Sequence, residues 1–110
     1  MKIENKPNYL YISSNEPTFL EFVENFKEKY TDFSKKHLIV SISENLNLKD
    51  QDIFVFLDYS EQHQQNGMTF VLVCSSVDVD KFPETFNIVP TIQEAEDVLE
   101  MENIQRDLGF

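Results

Sequence analysis

The sequence predicts a single α/β domain, and three observations carry that reading. Short apolar, β-branched or aromatic runs ("YLYIS", "HLIVSIS", "MTFVLVCS", "FNIVP") alternate with stretches of helical periodicity, which implies crossover connections. The run "FVLV" has no polar alternation, as expected of a strand buried on both faces. At 110 residues the chain has the length of one domain and can bury roughly two thirds of its unfolded surface. The expected order is β-β-α-β-α-β-β-α, with about three helices on a mixed, largely parallel sheet of four to five strands. Residues 1–110 form the domain, and residues 101–110 extend its last helix.

Each element has its own signal. Lys2 to Glu4 reads as a short strand, followed by turn chemistry in "NKPN", where Pro7 restricts Lys6 to extended conformations. Tyr9 to Ser13 is aromatic and β-branched enough for a strand. "SSNEPTFL" supplies Ser14 or Asn15 as a helix cap, with Pro17 in the first turn. Phe19, Val23, Phe26 and Tyr30 then recur at helical spacing, widened by Phe22 and Phe33, which gives an amphipathic helix with an aromatic core face. "HLIVSIS" is the next strand. A helix from about Asp50 to Gln65 ends at Gly67. "MTFVLVCS" is a strand, "SVDVDKFPET" a loop with room for one helical turn, and "FNIVP" a short strand closed by Pro90. "TIQEAEDVLE" opens the last helix with Thr91 as cap and Glu94 at the capping-box position.

Composition excludes several function classes. A net charge of −11 opposes nucleic-acid binding, which draws most of its affinity from Lys and Arg on phosphates. It also opposes docking to anionic membranes. The clustered Lys27, Lys29, Lys35 and Lys36 are interleaved with Glu24, Glu28 and Asp32 and read as a solvated helix end. Cys74, the only cysteine, sits in an apolar run as a small buried hydrophobe. The opening "MKIENKPNYL" lacks an apolar signal-peptide core, and no run reaches the length of a membrane span. The expectation is a soluble, cytoplasmic protein.

No catalytic constellation emerges. The glycines, Gly67 and Gly109, do not build a phosphate-cradling loop. His37 and His63 lie on different elements, neither with a second His at a ligand spacing; His37 reads as a strand start and His63 as part of a polar helix flank. Asp78, Asp80 and Glu84 lack a Ca²⁺-loop pattern and read as a solvated loop. No Ser lies in a Gly-flanked elbow. Asp50 and Asp52 suit the positive end of a helix dipole, although paired catalytic acids would look the same from sequence. No cofactor, metal ligand or catalytic residue is expected.

The pieces "LIVSIS", "LKDQDIFVFL", Gly67, "FVLV" and "VPTIQEAEDVLE" resemble the STAS domain, the anti-sigma-factor antagonist fold. That family has a strand like "LVLDLSG", a "DSSG" motif opening a helix, a Gly ending it, a strand like "LVLV" and a closing "T-x-x-E-A" helix. The resemblance implies a regulatory protein-interaction module. In regulatory members of the family, the second Ser of "DSSG" is phosphorylated by a partner kinase. Here the matching position falls at Asp50, counting back from Gly67, or at Gln51, counting forward from the strand. Neither has a hydroxyl, so the phospho-switch is expected to be missing, with Asp50 either a fixed negative charge or a plain N-terminal helix acid. The ending "ENIQRDLGF" is also similar to the "E-I-x-R-D-L-G-F" of a small group of bacterial proteins that often carry the name ribonuclease Z by genomic association. The H-x-H-x-D-H zinc motif of that nuclease has no counterpart here. The alternative function is therefore an accessory subunit or small enzyme associated with ribonuclease Z in RNA processing. A small-ligand-binding module is a third option.

Two stretches are expected to bind a protein partner. In "DIFVFLDYS", Ile53, Leu57, Ser60 and Gln64 lie on one helical stripe flanked by Phe54 and Phe56, which places Val55, Tyr59 and Gln62 roughly opposite as interface residues. In the tail, Ala95, Val98 and Leu99 share one helix face, whereas Met101, Ile104 and Leu108 share another, rotated by roughly a third of a turn. One straight helix cannot aim both at the same sheet. Either the helix bends near Glu100, or Met101, Ile104, Leu108 and Phe110 dock onto another protein or a second copy; the plain alternative is that the tail folds back over the domain's own sheet edge.

Overall fold

A computed structural model describes residues 1–46 and 48–109. Five strands form one mixed sheet in the order β1 (Lys2–Asn5), β2 (Leu10–Ser13), β3 (Leu38–Ser41), β4 (Phe70–Val73) and β5 (Asn87–Val89). β1 pairs antiparallel with β2 through the "NKPN" turn, and the other three pairings are parallel. Among the described residues there are three α-helices: α1 (Phe19–Phe33), α2 (Asp50–Gln65) and α3 (Ile92–Asp107). The Cα radius of gyration, 13.2 Å, is close to the ~13 Å of a compact domain of about 100 residues.

The strand register explains the two layers. Leu10, Leu38 and Phe70 line up across the sheet, as do Ile12, Val40, Leu72 and Ile88. These point to one face, where α1 and α2 cover them. The alternate residues Ile39, Val71 and Val73 point to the other face, where they meet Ala95 and Val98 of α3. Both faces of β3 and β4 are therefore buried, as the unbroken apolar runs demand. The larger layer is aromatic. Phe26 lies within 6.5 Å, ring centre to ring centre, of Phe22, Tyr30, Phe33, Phe56, Tyr59 and Phe70. Such edge and tilted pairs add to the energy of area burial, each by about 0.5–1.5 kcal/mol.

Helix ends follow local chemistry with one correction. The cap of α1 is Thr18, whose hydroxyl accepts from the Glu21 N–H, and not Ser14 or Asn15. The Ser14 hydroxyl instead accepts from the Ser43 N–H at 2.8 Å and ties the end of β2 to the end of β3. Thr91 caps α3 by accepting from the Glu94 N–H. Gly67, at φ +75°, ends α2. Its N–H donates to the Gln64 carbonyl and the Met68 N–H to the His63 carbonyl, the paired bonds of a Schellman turn, which needs a left-handed residue at this point.

Candidate functional site

In parallel sheets, sites gather where strands end and helices begin. Here that edge is closed by short polar contacts. Ser75, after β4, donates to Glu44 Oε1 in the β3–α2 connection. Ser43 Oγ accepts from the Asn45 N–H. At the opening of α2, the Lys49 N–H donates to Asp52 Oδ2 at 3.0 Å, so Asp52 is a capping residue. Asp50 pairs with Lys81 Nζ at 2.8 Å. That ammonium holds the Asp50 carboxyl below the usual carboxylate range, and the carboxylate raises Lys81 in turn. The Asp50 carboxylate at the opening of α2 is thus matched within the chain, by Lys81 of the β4–β5 connection. Gln51 is exposed beside it. Cys74 is buried, with its sulfur 3.7 Å from Ser76 Oγ.

Val55 and Tyr59 do not face outward. Both are half-buried against the aromatic layer, and the Tyr59 ring lies 4.4 Å from that of Tyr30 and 5.1 Å from that of Phe26. The expectation assumed that α2 buries one face. In fact α2 packs on the sheet through Ile53, Phe56, Ser60 and His63 and against α1 through Tyr59, so its apolar arc is wide. Gln64 is exposed rather than part of the stripe, and Gln62 is exposed at its edge. The aromatic residue that α2 shows to solvent is Phe54, which leans on Phe82 at 4.6 Å.

His63 is a further correction. It is not on a polar flank but fully buried. Its Nε2 lies 3.1 Å from the Lys36 carbonyl, which can only accept, so Nε2 carries the proton. Nδ1 then accepts from the Tyr30 hydroxyl at 2.6 Å. Burial pushes His63 below its ordinary pKa and pushes Tyr30 up to about 12. Sequence reasoning missed this pair, although His63 stands seven residues after Phe56 and three after Ser60, in line with the buried stripe. His37, just before β3, accepts through Nδ1 from the Thr69 N–H. Burial and then the Arg106 guanidinium lower its pKa.

At the opposite edge of the sheet, α3 is bolted down by polar side chains. Thr69 Oγ1 donates to Glu102 Oε1 at 2.8 Å and accepts from Arg106 at 2.9 Å. Asn87 donates to Glu102 Oε2 at 2.8 Å, and Arg106 also reaches Asn103. A shallow cavity of about 390 Å³ beside this network is lined by Gln64, Met68, Thr85 and Arg106 among others. Among the described residues, no buried side-chain nitrogen or oxygen lacks a hydrogen-bond partner, and no group of three or more His, Cys, Asp or Glu is placed to hold a metal ion. No helix among them is long and apolar enough to cross a membrane.

The tail resolves as one helix, α3, running to Asp107. Its inward face carries Ala95 and Leu99, with Glu102 and Arg106 prolonging it as polar anchors. Met101, Ile104 and Leu108 lie on the other side at 62, 53 and 67 % exposure. They do not fold back over the sheet edge. Phe110 lies outside the described residues. Compared with protein-family models and with curated proteins, the chain matches none.

Proposed function

We propose that this chain is a non-enzymatic protein-interaction module of STAS-like fold, and that it works without a phosphorylatable serine at the opening of α2. The observation that carries the reading is the outward stripe of α3. Three large apolar side chains at i, i+3 and i+7 stand in solvent on a helix already anchored through its other face. Scattered exposed apolar residues are ordinary, but a row at helical spacing is how one helix meets another. The Asp50–Lys81 pair supports the second half. Of the two positions that match the phosphoserine, Asp50 holds a carboxylate already matched by a cation of the same chain and Gln51 holds no charge, so neither offers much free charge for a partner to read.

The test compares affinity capture from native lysate by the wild-type chain and by a Met101→Gln, Ile104→Gln, Leu108→Gln variant of matched thermal stability. A specific protein retained by the first and lost by the second is expected. Equal capture by both, or divalent-metal-dependent RNA hydrolysis by the purified chain, overturns the reading.

A further inference from the structure

We propose that the outward face of α3 docks a cationic amphipathic helix of a partner protein. This inference rests on the interaction reading above and names the chemistry of the partner. From Ile92 to Leu108 the helix carries six acids, Glu94, Glu96, Asp97, Glu100, Glu102 and Asp107, against a single cation, Arg106. Glu102 and Arg106 are turned to the sheet by Thr69 and Asn87. The charge that α3 itself leaves around Met101, Ile104 and Leu108 is therefore negative, and Lys6 of the β1–β2 turn, already paired with Glu4, lines the neighbouring cavity beside Tyr9 and Glu96.

Helical geometry arranges it. At about 100° per residue, Met101, Ile104 and Leu108 lie opposite Ala95 and Leu99. Glu96, Glu100 and Asp107 form a row along one flank of the stripe, and Asp97 lies in line with it. The same flank opens into a groove of about 440 Å³ between α3 and the β1–β2 turn, whose lining includes Tyr9, Glu96, Leu99, Glu100, Ile104 and Asp107, with no Lys or Arg. Apolar and acidic walls side by side fit a Lys or Arg side chain, which lays its aliphatic stem on apolar surface and keeps its charge at the rim. The face of an aromatic ring such as Tyr9 suits a guanidinium as well. A second copy of this chain would bring a like-charged stripe to the same face, which costs rather than gains energy. Charge complementarity selects a basic partner with apolar residues at i, i+3 or i+4 and i+7.

The experiment uses three synthetic peptides with the full-length chain: a helical peptide with a Leu stripe flanked by Lys and Arg, a scramble of the same composition, and a version with Glu in place of the cations. Titrations by calorimetry and by amide chemical shifts are run on the wild type, on the Met101→Gln, Ile104→Gln, Leu108→Gln variant, and on a Glu96→Gln, Glu100→Gln, Asp107→Asn variant, each checked for folding by circular dichroism. The basic amphipathic peptide should saturate the wild type, with shifts confined to α3 and the β1–β2 turn. The scramble should bind at least tenfold more weakly. The apolar-stripe variant should lose binding, and the charge variant should weaken it about tenfold, as three exposed ion pairs of modest strength would, with a flatter salt dependence. No binding by the basic peptide, equal binding of the Glu peptide, or equal binding of the scramble overturns the proposal. So does a wild-type dimer in sedimentation that the stripe variant abolishes, because a second copy is then the occupant. The two readings fail differently. If lysate capture survives the charge variant but not the stripe variant, the cationic partner is wrong and the interaction module stands. If it survives both, the α3 face is not the interface.

Discussion

Replacing Tyr30 with Phe tests the buried polar pair at the centre of the aromatic layer. The substitution keeps the ring and its contacts with Phe26 and Tyr59 and removes one oxygen. That oxygen is the donor to His63 Nδ1 at 2.6 Å, on a histidine with no solvent exposure. The ring nitrogen is then left buried without a partner, which costs about 1–3 kcal/mol. For a domain of this size each kcal/mol corresponds to roughly 4 °C in melting temperature, so Tyr30→Phe should melt about 4–12 °C lower. His63→Leu alone leaves the Tyr30 hydroxyl only its longer contact, 3.4 Å, with the Tyr59 carbonyl. The double variant removes both ends and should be less destabilised than the sum of the singles by about 1 kcal/mol or more. Urea unfolding of the four proteins gives the coupling directly. Additive effects, or a Tyr30→Phe variant within about 1 °C of the wild type, would refute the pairing.

Three further outcomes follow from the packing and the charges. His63 and His37 both have folded-state pKa values below the ordinary 6.5, so as pH falls below 6.5 the unfolded chain takes up protons that the folded chain refuses. The urea midpoint should therefore decline from pH 7 to pH 5, and a flat profile would contradict the burial of both rings. A Val55→Ser, Tyr59→Ser variant should lose about 2–4 kcal/mol and melt roughly 10 °C lower, because both side chains pack on the aromatic layer; an unchanged melting curve would return them to the surface. In Lys81→Ala, the Asp50 carboxyl should titrate at higher pH than in the wild type, read by carbon NMR; an unchanged titration would mean that the ion pair does not form in solution.

The α/β class was legible because strands and helices differ in period, whereas the sheet is mixed and not largely parallel as expected, since β1 pairs antiparallel with β2 through a short turn. The expected helix from about Asp50 to Gln65 agrees with α2, which Gly67 ends. Ser14, Asn15 and Thr18 all have capping side chains, and tertiary bonds decide which are occupied elsewhere: Ser14 accepts from the Ser43 N–H and Asn15 from the Met1 amino group, which leaves Thr18 as the cap of α1. The interior role of Tyr59 was hidden for a related reason. A helical wheel shows one apolar pole, whereas a helix wedged between a sheet and a neighbouring helix buries an arc whose width depends on where the neighbour lies. His63 was misread because a polar residue type outweighed its position, and its partner Tyr30 stands thirty-three residues earlier. The α3 stripe was legible as two faces on one helix, but the anchors Glu102 and Arg106 were not, because Thr69 and Asn87 meet them only through the fold.

Those anchors also decide how the outward face of α3 is best tested. Deleting residues 101–110 would remove Glu102 and Arg106 together with the stripe and would destabilise the sheet edge for unrelated reasons. The direct measurement is the melting temperature of the full-length chain with Met101, Ile104 and Leu108 all replaced by Gln. If the three side chains stand in solvent to meet a partner, the isolated variant should melt within about 2 °C of the wild type, as surface substitutions of this kind do. A fall of 8 °C or more would place them in the core and contradict the account of α3 as a docking face.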